Sequence, residues 1–366
     1  MFEAVKDCPV DPIMIGADLF AQDPRQDKLN LTVGIYQDEH GRTPVLEAVK
    51  LAEQRLVETQ TSKSYLALTG NAEYCAILGR EVLGDAFVAS WVSAQTSGGA
   101  VALRVIADLL AQMPKPPTVW LQAPTYGNYI PILNAAGARY QALPYYDPLL
   151  GTLTFDQMLD GLKAAQPGDV FLMQGVCHNP TGADMSDDQF AALLDVLETR
   201  GIVPWIDLAY LGFAQGFEAD CAMARGIAER FPECIVCITL SKSFGIYRDR
   251  AGALFVKTRG PDQERITRAV TAIVRSGASH APDHGPSVVC TILQDPELKT
   301  LWLRDLGKMR QRVARMRARI VVTERDMLGS DRLAYLGQQV GMFSLLPLSA
   351  AQEQTLTQDH GIHVVQ

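Results

Sequence analysis

The chain has no apolar run approaching the about 20 residues that a membrane-crossing helix needs. Its opening, Met1-Phe2-Glu3-Ala4-Val5-Lys6-Asp7, lacks the basic-then-apolar order of a secretory signal, so cytoplasmic residence is the expectation. Positive charge is not in excess. The 33 Lys and Arg stand against 41 Asp and Glu, a formal net charge of -8, which argues against a nucleic-acid backbone as the main partner. That balance still allows a local positive pocket for one small anion. The 6 histidines do not cluster and the 7 cysteines are scattered, so neither a metal site nor a disulfide framework is indicated. Cys234 and Cys237 form a C-x-x-C, but they lie inside the apolar run Cys234-Ile235-Val236-Cys237-Ile238, where two buried reduced thiols of a strand are expected. Repeats and low-complexity tracts are also lacking.

What is present is an ordinary globular composition, in a chain of 366 residues that is too long for one simple core. Two domains are expected. Seven short apolar runs alternate with helix-like stretches: Trp91 to Ala94, Thr118 to Gln122, Ala138 to Leu143, Val170 to Val176, Ile202 to Leu208, Cys234 to Thr239 and Ala251 to Val256. Between them, segments such as Ala100 to Met113 and Asp187 to Thr199 carry apolar residues at helical spacing. This alternation implies an α/β fold, a mostly parallel seven-stranded sheet with helices on both faces. Residues 258 to 326 read as long charged helices, with the basic stretch Lys308 to Arg319 as a solvated face. The two chain ends do not continue the alternation and are expected to build a smaller α/β domain. The expected parts are an N-terminal arm and part of the small domain over 1–45, a large domain over 46–310, and a small C-terminal domain over 311–366.

Open parallel sheets bind ligands beyond the carboxyl ends of their strands. Four such ends carry suggestive residues. After Ala94-Gln95-Thr96-Ser97, the pair Gly98-Gly99 opens a helical pattern; it is either an anion cradle or a tight turn. His178-Asn179-Pro180-Thr181-Gly182 follows the fourth run; Asn179 either donates to a ring oxygen or simply turns the chain. Asp207, in Ile206-Asp207-Leu208-Ala209-Tyr210, ends an apolar run and needs a partner, which a protonated heterocyclic nitrogen or a structural donor supplies equally well. The last end is Thr239-Leu240-Ser241-Lys242-Ser243-Phe244-Gly245, then Arg250-Ala251-Gly252. A lysine rarely belongs at the end of a buried strand, and burial favours the neutral, nucleophilic amine. Arg250 can fork onto a phosphate. For either residue alone, a snorkelling lysine or a surface arginine is the plainer reading. Together the four ends ask for one ligand with a phosphate, a pyridine nitrogen, a ring hydroxyl and an aldehyde, and pyridoxal 5'-phosphate has all four.

The sequence resembles the aspartate/aromatic amino acid aminotransferases, class I of the fold-type-I pyridoxal-phosphate enzymes, from Met1 to Gln366. The resemblance rests on Asp11-Pro12-Ile13, Ala17 to Phe20, Gly34-Ile35-Tyr36, Thr43 to Leu46, Tyr65-Leu66, Asn179 to Gly182, Asp207 to Gly212, Ser241-Lys242 to Gly252, Met309 to Arg312 and Gly341 to Ser344. It implies that Lys242 holds the cofactor as a Schiff base and acts as the base, and that Asp207 pairs with the pyridine nitrogen. By the same resemblance Tyr210 and Asn179 donate to the ring oxygen, while Arg250, Thr239 and the Gly98-Gly99 turn hold the phosphate. Tyr65 would reach the phosphate of a neighbouring subunit, and Arg275 a dicarboxylate substrate, also across a homodimer with shared active sites. Gly34, Tyr126 and Asn128 would lie near the substrate, with Tyr126 over the ring.

The resemblance is incomplete at five positions. Ala100 replaces a hydroxyl residue, which removes a phosphate bond worth ~1–3 kcal/mol, and Val101 replaces a glycine. Tyr126 stands for a tryptophan, Tyr129 for the histidine that supports the aspartate, and Ala278 for a tyrosine. The family also continues past the equivalent of Gln366 with an arginine for the substrate α-carboxylate, so an incomplete chain is expected. The implied activity is transamination between an L-amino acid (aspartate, glutamate or an aromatic one) and a 2-oxo acid such as 2-oxoglutarate. A related lyase or decarboxylase and a non-catalytic dimeric relative are the alternatives.

Overall fold

The computed structural model describes residues 2–5, 12–88 and 90–365; Asp11 of the family-like Asp11-Pro12-Ile13 run lies outside them. Two compact units are present, Tyr36–Leu345 and a smaller one made of Met1–Ile35 with Leu346–Gln366.

In the larger unit the seven expected runs form one sheet: β1 (Val92–Ser97), β2 (Thr118–Ala123), β3 (Arg139–Pro144), β4 (Val170–Gln174), β5 (Val203–Leu208), β6 (Cys234–Thr239) and β7 (Ala251–Lys257), in the spatial order β1-β7-β6-β5-β4-β2-β3. Only β7 is antiparallel to its neighbours. The other six strands therefore end at one edge, and β7 begins there. The residue before β7, Arg250, lands beside the residues that follow β1 and β6.

β4 and β6 are buried along their whole length, the signature of strands covered on both faces. One face is covered by the helix Gly99–Ala111, through Ala102, Leu103 and Ile106, and by Gln263–Gly277, through Val270 and Val274. The opposite core takes Leu193, Leu194 and Leu197 from the helix Asp187–Arg200 and Trp302 from the 33-residue helix Pro296–Leu328. Trp302 stacks on Phe244 at 4.2 Å and donates its indole N–H to the Ser243 carbonyl at 2.8 Å, tying the segment around Lys242 to this helix.

Three expectations change. β1 runs on to Ser97 rather than ending at Ala94, because the antiparallel register with β7 pairs Thr96 with Gly252 and Ser97 with Ala251. Its polar Gln95 is buried with both side-chain ends used, accepting from Asn71 N–H at 2.7 Å and donating to the Pro282 carbonyl at 2.7 Å. The division between units falls at Ile35/Tyr36 and Leu345/Leu346, rather than at 45 and 310. The helix Pro296–Leu328 runs without a break through 310, and its Arg317 binds the carbonyls of Gly341 at 2.8 Å and Phe343 at 3.1 Å. Arg317 is also the exception to the solvated reading of Lys308 to Arg319, being only 8% exposed.

The smaller unit joins both chain ends through a parallel pairing of Leu29–Asn30 with Ile362–His363. Asp23 accepts from the Arg25 guanidinium and lies 2.9 Å from His363 Nε2. Among the described residues the six cysteines are free and buried, Cys234 and Cys237 included, and no group of side chains is arranged to hold a metal. No described helix is long and apolar enough to cross a membrane.

Candidate active site

Lys242 sits in the turn that follows β6, half-buried between the buried Ser241 and Ser243. Besides the Trp302 bond, Ser243 Oγ donates to the Leu211 carbonyl at 2.7 Å and Leu240 N–H to the Ala251 carbonyl at 3.1 Å, which hold that turn. The Lys242 ammonium lies 5.1 Å from the centre of the Tyr210 ring. Burial lowers the Lys242 pKa; the Asp207 charge opposes this and the Arg250 charge adds to it. The neutral amine is thereby more accessible than on an exposed lysine.

Asp207 ends on β5 and is buried. Its Oδ2 accepts from the Tyr129 hydroxyl at 2.7 Å, whereas its Oδ1 is buried without a partner among the described residues. Burial pushes its pKa up to about 6, against the Tyr129 hydrogen bond and the Lys242 charge. A buried carboxylate oxygen without a donor is costly, and a ligand N–H satisfies it.

Tyr210 follows β5, and its hydroxyl accepts from Asn179 Nδ2 at 3.4 Å. Burial raises its pKa well above the ordinary phenol value, so it stays a neutral donor. Asn179 is placed by Gln174, the last residue of β4. Gln174 Oε1 accepts from Asn179 N–H and Gln174 Nε2 donates to the Asn179 carbonyl, both at 2.8 Å. Sequence reading passed over Gln174. The signal was there, an amide ending the otherwise apolar Val170-Phe171-Leu172-Met173.

The segment after Tyr210 is folded around a second buried carboxylate. Asp220 accepts from the N–H groups of Gly212 at 2.7 Å, Ala214 at 3.1 Å, Gln215 at 2.8 Å and Gly216 at 3.3 Å. Asp220→Ala leaves these donors without their acceptor and is expected to cost about 3 kcal/mol of stability. Urea unfolding of the variant checks it; an unchanged midpoint would mean that water replaces the carboxylate.

Gly98, Gly99, Thr239, Arg250 and Gly252 form a second, tightly packed group. Gly98 has φ +80 and caps the helix Gly99–Ala111; a Cβ there would strike the Arg250 guanidinium. A Cβ on Gly99 would strike Thr239 Oγ1, and one on Gly252 would come within 2.6 Å of the Gly98 backbone. Glycine is thus required for the close approach, and the free N–H groups of a 13-residue helix open beside a guanidinium. Arg250 itself has φ +53 and donates to Ser241 Oγ and the Tyr247 carbonyl, each at 3.2 Å, which links this group to the Lys242 turn.

Tyr126 packs edge-on against Tyr129, at 5.4 Å between ring centres, and Phe343 packs edge-on against Tyr210 at 5.6 Å. Tyr65 and Arg275 are not drawn in. Tyr65 is 87% exposed and stacks on His280 at 4.7 Å. Arg275 is exposed on the last turn of Gln263–Gly277, and Gly34 belongs to the smaller unit.

The residues present fit pyridoxal phosphate on three counts: the open Asp207 Oδ1, a half-buried lysine with a lowered pKa, and a glycine cradle that any Cβ would fill, next to an arginine. Such a constellation at the carboxyl edge of a doubly wound sheet defines a cofactor-dependent enzyme of the α/β class. Residues 26–366 match aminotransferase class I and II, and the chain belongs to that family. It is 40% identical over 366 residues to a tyrosine aminotransferase of Rhizobium meliloti (strain 1021), covering 100% of this chain and 93% of that protein. It is likewise 40% identical over 373 residues to an aspartate aminotransferase of Escherichia coli (strain K12), with the same coverage. A crystal structure of an aromatic-amino-acid aminotransferase from Burkholderia pseudomallei, covalently bound to pyridoxal phosphate, superposes with a TM-score of 0.95 at 35% identity, over 100% of this chain and 93% of that one.

Proposed function

We propose that this aminotransferase binds pyridoxal phosphate through Lys242 and exchanges amino groups between aspartate, glutamate or aromatic L-amino acids and a 2-oxo acid such as 2-oxoglutarate. One observation carries the site assignment: a lysine with a lowered pKa and a buried carboxylate with one open oxygen stand at adjacent strand ends. When bound, the cofactor serves as the electron sink for the substrate Cα. The chain's own residues do the rest. Asp207 Oδ1 accepts the ring N–H and keeps that nitrogen protonated. Asn179 and Tyr210 donate to the ring oxygen. Arg250, Thr239 and the Gly98-Gly99 turn, through the Gly99 N–H, would hold the phosphate. The Lys242 amine would take the proton from the substrate Cα, and its lowered pKa favours the neutral form that can do so. Tyr126 would pack over the ring.

Two exposed residues support a homodimer with shared sites. Tyr65 presents a large aromatic surface to solvent in the single chain, and Arg275 is an exposed cation with no hydrogen bond or ion pair among the described residues. In this reading each serves the neighbouring subunit, Tyr65 at the phosphate and Arg275 at a side-chain carboxylate. Residence in the cytoplasm completes the proposal.

Half-reactions test the substrate assignment. Aspartate, phenylalanine and tyrosine, added singly to the holoenzyme without acceptor, are each expected to release one equivalent of 2-oxo acid per site and to convert the cofactor to its amine form. Turnover should then need 2-oxoglutarate. Sustained product formation without an acceptor would instead indicate a lyase or decarboxylase.

A further inference from the structure

We propose that Tyr129 is a positioning residue for this reaction: its hydroxyl occupies Asp207 Oδ2, holds the carboxylate ionised, and leaves Oδ1 as the one open acceptor for the ring nitrogen. The proposal rests on the cofactor reading above and adds to it the group that governs the aspartate.

The placement is rigid. Tyr129 is the first residue of the helix Tyr129–Ala136, its N–H bonds to the Tyr126 carbonyl at 3.0 Å, and its ring is 2% exposed within the core on that face of the sheet. The 2.7 Å bond to Oδ2 fixes which carboxylate oxygen is used by the protein. A carboxylate that spends one oxygen on a strong donor has one left, and here it is the buried, open Oδ1.

The chemistry of the donor matters as much as its position. Burial raises the Tyr129 pKa far above the working range, so the phenol donates at every physiological pH. It donates without bringing a positive charge. The groups that face Asp207 are Tyr129 at the start of the helix Tyr129–Ala136, Tyr210 after β5, Cys237 on β6, and Lys242 after β6; of these only Lys242 is a cation. Once Lys242 is neutral, the Asp207 charge has a single cationic partner left, the protonated ring. An imidazolium at position 129 would compete for that charge, and a phenol does not.

The test starts on the apoenzyme, so that it does not depend on transamination. The Asp207 carboxyl carbon, labelled with 13C and assigned by its loss in Asp207→Asn, is titrated in wild type, Tyr129→Phe and Tyr129→His. Removing only the hydroxyl is expected to raise the Asp207 midpoint by about one unit, a tenfold change in proton affinity. Cofactor affinity at pH 8 should fall about tenfold, and kcat should fall with little change in KM. Tyr129→His, which restores a donor, should bring the midpoint back down. A Tyr129→Phe protein that folds normally and titrates as wild type overturns the proposal. Should Tyr129→Phe fail to fold, the wild-type protein decides: a slowly exchanging phenol proton resonance that disappears in Asp207→Asn supports the bond, and its absence overturns it. A shifted midpoint in an enzyme that does not transaminate would leave the positioning role standing and remove the functional reading.

Discussion

Lys242→Ala is expected to lower turnover by at least about 10^4-fold, at the upper end of what loss of a positioned acid–base group costs, while leaving the fold intact. The side chain is only half-buried and donates no hydrogen bond among the described residues, so truncation removes little packing. Its neighbours Ser243, Phe244 and Trp302 keep the turn through contacts that do not involve it. The variant should still take up pyridoxal phosphate, because Asp207, Asn179, Tyr210, Arg250 and the glycine cradle are untouched, but the cofactor should be removable by dialysis. Stopped-flow of the half-reaction with aspartate measures the loss. Added methylamine should recover part of the rate, since a small amine can enter the space left by the side chain. A Lys242→Ala enzyme within tenfold of wild type would place the base elsewhere.

Asp207→Ala is the second large effect, and it acts differently. It removes the acceptor for the ring N–H and strands the Tyr129 hydroxyl in the core. Breaking a buried charged pair costs about 3–5 kcal/mol, which corresponds to roughly 10^2 to 10^4-fold at about 1.4 kcal/mol per decade. The loss should appear in both cofactor affinity and kcat, because the unprotonated ring is a poorer electron sink. Asp207→Glu keeps a carboxylate one methylene too long and should fall between the two. Equilibrium dialysis together with steady-state rates separates binding from chemistry; unchanged cofactor affinity in Asp207→Ala would contradict the ring-nitrogen role.

Much of this was legible in the residues. β6 was read with both its ends, because Cys234 to Thr239 is apolar throughout and is bounded by polar turns. The Lys242 and Asp207 positions stood out because charged residues ending buried strands need a chemical reason. The parts not legible depend on distant pairing. Gln95 and Thr96 look like loop residues until the antiparallel register with β7 and the Asn71 and Pro282 contacts are known. Arg250 gave no sign of its left-handed backbone, nor that β7 would run against its neighbours and bring it to the ligand edge. Tyr129 was visible as a departure from the family, but its bond to Asp207 joins residues 78 positions apart in the chain. The Gln174 clamp on Asn179 is short in sequence, yet it needs the turn to be formed before its reciprocal geometry appears. The charged helix Pro296–Leu328 misled in one place, because Arg317 faces inward and is satisfied by carbonyls rather than by acids.

The covalent attachment at position 242 is the point on which the mechanism stands, and reduction traps it directly. Holoenzyme treated with borohydride, digested and mapped by mass spectrometry should yield one peptide carrying the reduced cofactor, with the adduct on Lys242 and on no other lysine. An adduct at a different lysine, or none in protein that has bound the cofactor, would contradict the account.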